Sequence, residues 1–546
     1  MAMGFLYEFY GYFLHGTGSA IYARDITRAL NRLGQNVVLF SQENKPESFD
    51  FISEAYEVRN GLLKRLFTKS TPFSGKTIHV RPDLKGMLPV YVYDSYPDYE
   101  KVVEFKNIGK REIDAYRERI IEAIQLFIRE TGRMASGYLT HHLSPLPAFV
   151  ESIRDKKAKH FAVYHGSDIN FALIKNDLLK DDFFQVLPEI SGIIVLTSHG
   201  RDDVISFLGC KNLPQIAIIP PGVDMEKFYP KKKDDALHEF KDKFSRLEHD
   251  GNILSKRLEL IKTIYESNSL ADLKLLFKEL EKLEAVKAAE PDVPDFLEKN
   301  IGRPLVVFAG KYLWTKGIAA LLLAMPYVWK EANETGFVLV GFGASRGILE
   351  KIRFELSRKN IKAVCELLEK HRELDPGSRE DLIYDAPLDF AGRLKNTEYA
   401  GKYLSLADFS KFITQVKFAG YLDHERLAPL ISLADVFAAP SLFKESFGLV
   451  LVEAAASGTL PVGSCHSGFK DVLEYYSSGL QLNGKKICIP LGAGFIPELG
   501  KTIFEMVNKV RADESIRSRL FELTQKRFSW ESAASGLLNL FKTESY

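Results

Sequence analysis

The sequence predicts an α/β protein: two doubly wound parallel-sheet domains facing a cleft, with helical insertions. Three observations carry that expectation. An apolar N-terminal stretch passes through a glycine-containing loop into an amphipathic helix and a second apolar strand. The same alternation restarts at Pro304. Two charged, helix-patterned segments interrupt it. At 546 residues the chain is also too long for one compact domain.

The first unit follows in order. The apolar start leads to His15-Gly16-Thr17-Gly18-Ser19, and Ile21, Ile26, Ala29, Leu30 and Leu33 then fall at helical spacing. Gly34 is placed to stop that helix, and residues 36–40 read as a buried strand. Strands are expected again at 159–164, ending in His165-Gly166-Ser167-Asp168, at 192–196, and at 215–219. Asp202-Asp203 reads as a dipole pair opening the helix after the second of these. Pro220-Pro221-Gly222 can neither continue a strand nor open a helix, so a domain edge is expected there.

The second series has strands at 305–309, 336–340, 418–420 and 433–439, with a helix over 318–330. Residues 226–303 read as linker and helical insertion, with Leu270, Leu273, Leu276, Phe277, Leu280 and Leu283 on one stripe. Residues of about 345–415 form a second helical insertion, broken at Asp375-Pro376-Gly377. Both are expected as lids or partner surfaces, through which an oligomer would form. The expected domains are therefore 1–225, joined by a C-terminal helix over 529–546, and 304–528. Ligands of doubly wound sheets bind at the carboxyl ends of the strands, here in the cleft between the two halves.

Composition narrows the function. The chain has 73 basic and 72 acidic side chains, a net charge of +1, so no electrostatic case exists for a dedicated nucleic-acid partner. Cys210, Cys365, Cys465 and Cys488 are scattered without a Cys-x-x-Cys spacing, which argues against a disulfide framework or zinc site. They suit a reducing cytoplasm. No apolar run reaches the ~18–20 residues that span a bilayer. The N-terminus carries Glu8 and lacks a basic flank, so it reads as a first strand rather than a signal peptide. The basic run 154–160 could touch anionic lipid, but reads more simply as a solvated turn.

Two motifs carry chemistry. Residues 440–458 place Glu445 and Glu453 eight positions apart, the second on an alanine-rich helix that Gly458 ends. Phe447-Gly448-Leu449 stands where that helix begins, and helix-start amides with their dipole favour an anion. Gly310–Gly317 offers Lys311 and Lys316 after a buried strand, where they would neutralise a diphosphate. By spacing alone the glutamates read equally as surface and helix residues, and the lysines as solvated side chains.

Together these residues resemble the retaining GT-B-fold glycosyltransferases of group 1 (GT4-like). Glu445–Glu453 is similar to that family's E-x7-E signature, and Gly310–Gly317 to its G-R-L-x-x-x-K-G loop. Val340-Gly341-Phe342-Gly343 is similar to its V-G-x-G turn, Pro221–Pro230 to its linker entry, and His165–Asp168 to its H-G-x-D. Phe528-Ser529-Trp530-Glu531 resembles the start of a last helix that returns to the N-terminal domain.

The resemblance implies roles residue by residue. Lys316 and Lys311 would bind the donor diphosphate, Lys311 standing where the family has arginine and so lacking the bidentate fork. Gly341 and Gly343 would form part of the donor site. Glu445 would contact the transferred sugar, the amides of Phe447, Gly448 and Leu449 the phosphates or sugar, and Glu453 the ribose. Gly16, Thr17 and Gly18 would form the diphosphate and acceptor loop. His165 would orient the sugar or stabilise charge, the alternative being a hydrogen-bonded strand-end histidine. Asp168 would face the acceptor, His141 and His142 read as structural or acceptor-facing, and Tyr421 is a candidate base contact.

The implied reaction moves a hexose from a nucleoside diphosphate sugar to a hydroxyl acceptor with retention, by front-face attack. It needs no metal and no tightly bound cofactor, since lysines and amides meet the leaving charge. A catalytically silent sugar-nucleotide binding protein, a sugar-nucleotide epimerase and a phosphorylase share the fold and are the competing readings.

Overall fold

The computed structural model describes residues 4–91, 96, 98–209, 214–247, 251–375, 382–482 and 486–542. Cys210, Pro376 and Gly377 lie outside the described residues. The chain divides into two compact units, Met1–Gly222 with Arg527–Tyr546, and Val223–Lys526.

The first unit holds β1 (Phe5–Phe9), β2 (Val37–Phe40), β3 (Ile52–Arg59), β4 (Leu62–Thr68), β5 (Thr77–Arg81), β6 (Met87–Val90), β7 (Lys101–Glu104), β8 (Ala135–His141), β9 (Lys159–Val163), β10 (Gly192–Val195) and β11 (Gln215–Ile218). Nine of them form one sheet in the order β11-β10-β9-β8-β1-β2-β5-β3-β4. Every neighbouring pair is parallel except β3–β4, an antiparallel hairpin at the edge. β6 and β7 pair separately.

β1 lies mid-sheet, with Phe9 opposite Phe40 on one side and Thr140 on the other. Covered on both faces, it reads as an apolar run broken only by Glu8, as befits a central parallel strand. Phe9 and Phe40 stack at 4.7 Å, and Tyr7 packs edge-on against Phe127 and Tyr138. After β1, Thr17 caps the helix Gly18–Arg32 by accepting a hydrogen bond from the amide of Ala20. The last helix, Trp530–Lys542, packs on it. Arg32 reaches Glu531 at 2.8 Å, and Lys159 donates to the carbonyl of Leu540.

Two local expectations change. Asp202 and Asp203 sit one turn into the helix Ser198–Leu208, whose N-terminus is capped by Thr197, and they pair with Arg201 and His199. The basic run beyond residue 153 is largely consumed by one carboxylate: Glu151 accepts from Arg154 (2.7 Å), Lys156 (2.8 Å) and His160 (2.6 Å).

The second unit holds β12 (Leu305–Ala309), β13 (Gly336–Val340), β14 (Val416–Gly420), β15 (Val436–Ala439), β16 (Leu460–Ser464) and β17 (Cys488–Ile489). All are parallel, in the order β14-β13-β12-β15-β16-β17. Because β16 and β17 are neighbours, Cys465 and Cys488 meet and are joined as a disulfide. Their separation of 23 residues hides that adjacency in the sequence, so the expectation of no disulfide does not hold for this pair.

The insertions are not free-standing. Leu273, Phe277 and Leu280 of the helix Leu270–Glu284 are buried within this unit, and Phe277 lies so close to Gly347 that a Cβ there would stand 2.5 Å from its ring. Buried ions join the segments. Arg257 pairs with Glu284 (3.1 Å) and Glu290 (3.3 Å), and Arg346 with Glu350 (2.8 Å) and Glu290 (3.6 Å). Three guanidiniums, those of Arg257, Arg346 and Arg353, face the carboxylates of Glu284, Glu290 and Glu350, so the charge is balanced where desolvation would punish any surplus.

Phe277→Ala should lower unfolding stability by about 3–5 kcal/mol in denaturant titration, because the stripe belongs to the unit's core; an unchanged midpoint would mean that the insertion is a detached lid. For Glu151, burial raises the carboxyl, but the bonds from His160, Lys156 and Arg154 outweigh it and bring it down to about 2. Its folded value lies below its unfolded one, so its stabilisation is full above the ordinary glutamate range and is lost as pH falls toward 2. Glu151→Gln should therefore flatten the acid limb of the stability–pH curve in that window.

Candidate functional site

In the second unit the site is built by two loops that follow adjacent strands. The loop after β12 carries Lys311 and Lys316, and the loop after β15 carries Ser441 and Glu445. They are stitched together by backbone: Leu442 N–H donates to the carbonyl of Thr315 at 2.8 Å. Gly317 has φ +72, and a Cβ there would collide with the Pro440 carbonyl, so only glycine permits this approach. The outcome is an ion pair between loops 129 residues apart in sequence, Lys316 Nζ to Glu445 Oε1 at 2.6 Å. Lys316 remains about one-third exposed, whereas Lys311 faces solvent.

Glu445 is held from several sides. Ser441 Oγ donates to the same Oε1 at 2.9 Å. His466 Nε2 lies 2.8 Å from the Ser441 carbonyl, which can only accept, so Nε2 carries the proton. In a neutral ring Nδ1 then accepts from the Ser467 hydroxyl at 2.8 Å, and that oxygen accepts the Glu445 N–H at 2.9 Å. The Gly468 amide closes the ring on the Glu445 carbonyl at 2.8 Å. Neither His466 nor Ser467 is marked in the sequence, because β16 before them carries no strand pattern.

Gly448 stands at φ +101 before the helix Leu449–Ala456, and a Cβ there would sit 2.6 Å from the Phe469 ring. The amides of Leu449 and Val450 have no intrahelical acceptor, while Leu451 N–H bonds back to the Gly448 carbonyl at 2.9 Å. Glu453 is buried on the helix, with its Oε1 3.6 Å from His424 Nε2. So Lys316 and Glu445 are brought into contact, with Phe447 and Gly448 following in the same loop and Leu449 opening the helix, while Glu453 is drawn toward His424.

Gly341 and Gly343 lie in the turn after β13, pinned by Gly341 N–H to the Gly420 carbonyl (2.9 Å) and Tyr312 N–H to the Phe342 carbonyl (2.7 Å). Phe342 meets Tyr421 edge-on at 5.5 Å, with Lys287 of the first insertion 5.1 Å from the Phe342 ring and 5.8 Å from Tyr421. Arg346 places its guanidinium 4.5 Å from the Phe418 ring, so the buried ion network extends to the base of this turn.

In the first unit, Gly16, Thr17 and Gly18 form an exposed loop at a helix start, where Thr17 also meets the Tyr10 hydroxyl at 3.3 Å. His165 is buried, with Nε2 3.1 Å from His141 Nδ1. His141 Nε2 in turn lies 2.7 Å from Glu8. Asp168, expected at the acceptor, is fully buried. Its Oδ2 accepts from the Leu143 amide at 3.0 Å and at 3.5 Å from that of His165, and burial raises its carboxyl to about 7. His142, at φ +72, places Nδ1 3.9 Å from Asp168, and burial holds its ring neutral. Glu8 is the residue that sequence reasoning missed here, a charged residue inside an apolar strand being its signal, while His141 was read as structural or acceptor-facing. Among the described residues, no group of three or more His, Cys, Asp and Glu is placed to hold a metal ion.

Gly448→Ala should cost about 2–4 kcal/mol, from the left-handed backbone together with overpacking against Phe469. Denaturant titration checks this, and a change below ~0.5 kcal/mol would show that the loop tolerates a side chain.

Known proteins supply an independent comparison. Residues 353–486 match the family model of glycosyl transferases group 1. An uncharacterized glycosyltransferase of Methanocaldococcus jannaschii is 22% identical over 242 residues, an alignment covering 44% of each protein. A D-inositol 3-phosphate glycosyltransferase of Xylanimonas cellulosilytica is 21% identical over 534 residues, 96% of this chain and 92% of that one. Among solved structures, sucrose-phosphate synthase from Thermosynechococcus elongatus superposes with a TM-score of 0.51 at 17% identity, covering 99% of this chain and 98% of the other. Residues 353–486 are thus similar to the group 1 glycosyl transferases, on a chain whose fold is that of the GT-B glycosyltransferases.

Proposed function

We propose that this protein is a retaining glycosyltransferase that moves a hexose from a nucleoside diphosphate sugar to an acceptor hydroxyl. The observation that carries the reading is the 2.6 Å Lys316–Glu445 pair in front of a helix start. An ammonium and helix-start amides suit a diphosphate whose charge grows as it leaves. A carboxylate fixed beside them suits the hydroxyls of the sugar. In this reading Lys316 and the more exposed Lys311 take the diphosphate, and the amides of Phe447, Gly448 and Leu449 share its charge. Glu445 orients the hexose and Glu453 the ribose. Phe342 and Tyr421, after β13 and β14, offer an aromatic pair for the base, with Gly341 and Gly343 letting the chain approach it.

In the first unit, Gly16, Thr17 and Gly18 serve the diphosphate and acceptor loop. His165 orients the sugar or its developing charge, and Asp168 braces the loop that presents it to the acceptor. Attack on the face that the phosphate leaves gives retention without a covalent intermediate. The name of the Xylanimonas relative makes a phosphorylated cyclitol the first acceptor class to try. The competing reading, a silent sugar-nucleotide binding protein, would keep donor affinity without turnover.

A thermal-shift panel of nucleoside diphosphates and their hexose conjugates should give a selective rise in melting temperature, and no rise with any of them would overturn the reading. With the donor so found, Lys316→Ala and Glu445→Gln should each lower kcat by about 100-fold or more at an unchanged melting temperature. Near-parental turnover in either variant would remove that residue from the site, and binding without turnover in the parent would favour the silent binder.

A further inference from the structure

β1, β8 and β9 are neighbours in the first sheet, and their carboxyl ends bring together three side chains distant in sequence. Glu8 comes from β1, His141 from the end of β8, and His165 from just beyond β9. Glu8 Oε1 lies 2.7 Å from His141 Nε2, and His141 Nδ1 lies 3.1 Å from His165 Nε2. All three are buried, Glu8 and His141 completely. The line has two self-consistent arrangements, because each imidazole must donate from one nitrogen and accept at the other.

We propose that Glu8–His141–His165 is a proton relay, in which the protonation of Glu8 decides whether Nδ1 of His165 acts as a hydrogen-bond donor or acceptor. With Glu8 ionised, His141 donates from Nε2 to the carboxylate, and His165 donates from Nε2 to His141 Nδ1. His165 Nδ1 is then an acceptor. When one proton from water or a bound hydroxyl forms a bond to His165 Nδ1, the Nε2 proton of His165 passes to His141 Nδ1. The Nε2 proton of His141 then passes to Glu8 Oε1. Three bonds to hydrogen form and three break, counting the one in the donor, whose conjugate base remains. The net change in the line is neutralisation of the carboxylate.

The surroundings favour storing that proton on Glu8 rather than as an imidazolium. Burial raises the Glu8 carboxyl to about 8, opposed by the hydrogen bond from Thr27 at 2.6 Å. Burial lowers His141 to about 3 and His165 well below the usual histidine range. The groups packed around the line are Thr27 and Tyr22 toward Glu8, Tyr10 and Tyr22 against His141, and Tyr22 and His142 against His165. Asp168 touches it through the His165 backbone amide. Tyr10 and Tyr22 are raised by burial and His142 is held neutral, while Asp168, raised to about 7, meets only the His165 backbone amide and lies outside the hydrogen-bonded line, so Glu8 is the member whose titration resets it. Glu8 and His141 are thus positioning residues for His165. The bearing of the relay on transfer rests on the role proposed above for His165; its existence does not.

The test is a two-bond proton–nitrogen correlation spectrum of the full chain with nitrogen-15-labelled histidine, recorded from pH 6 to 9.5, with His165 assigned by comparison with His165→Gln. His165 should change from the Nδ1–H to the Nε2–H tautomer as pH rises through about 8. Glu8→Gln should remove the change and hold one tautomer throughout. Thr27→Val, which deletes a bond that stabilises the carboxylate, should move the midpoint upward by roughly half a pH unit or more. A single His165 tautomer in the parent across the range, or an unmoved midpoint in Glu8→Gln, would overturn the relay. Should Glu8→Gln not fold, an unmoved midpoint in Thr27→Val overturns it. None of these outcomes depends on a donor, so the relay and the transferase reading fail separately.

Discussion

The second unit depends on how closely two loops can approach. Thr315 and Leu442 share a backbone hydrogen bond, and Gly317 slides under the Pro440 carbonyl where any side chain would collide. That contact decides where Lys316 can reach, and hence that its ammonium meets Glu445 rather than water. Paired charges on a surface contribute little to stability. Here one-third of Lys316 remains exposed, so the pair is better understood as placement than as support. The support is supplied behind it, by Ser441, His466 and Ser467, which fix Glu445 through its carboxylate and its backbone amide.

The same logic governs the glycine turn after β13. The helical insertions pack into the unit through Phe277 and through the buried arginines and glutamates, and Arg346 carries that network to Phe418 and Tyr312 beneath the turn. A network of this kind is weak evidence for stability, since the desolvation of each ion offsets the attraction. Its geometric effect is clearer: the insertion bearing Lys287 is held where its ammonium meets the Phe342 and Tyr421 rings. The first unit uses a different device, a hydrogen-bonded line of Glu8, His141 and His165 at the ends of three central strands.

Much of this was legible in the sequence because central parallel strands must be apolar throughout. β2, β10, β12 and β13 announce themselves in that way, β1 and β9 do so despite Glu8 and the Lys159-His160 start, and the loops that follow β9, β12 and β13 carry His165, Lys316, Gly341 and Gly343. That Lys316 and Glu445 serve one donor site was implied by the family resemblance, but their ion pair and the groups that hold it were not. His466 and Ser467 follow β16, which has no alternation and contains Pro461 and Gly463, so nothing marked it as a strand. The edge hairpin β3–β4 was missed because β4 is largely exposed and, with Lys64 and Arg65 between its apolar pairs, shows no alternation. Strand order is also invisible along the chain: it joins Cys465 to Cys488, and it carries Glu8 to His141 across 133 residues. Asp202 and Asp203 show the converse, a pattern that fitted a helix start although Thr197 already supplied the cap.

The most direct measurement is a crystal structure of the full chain soaked with a nucleoside diphosphate. The account predicts density for the terminal phosphate within hydrogen-bond reach of Lys316 Nζ and the amides that open the helix Leu449–Ala456. A nucleotide bound elsewhere on the second unit, with the Lys316–Glu445 pair untouched, would contradict it.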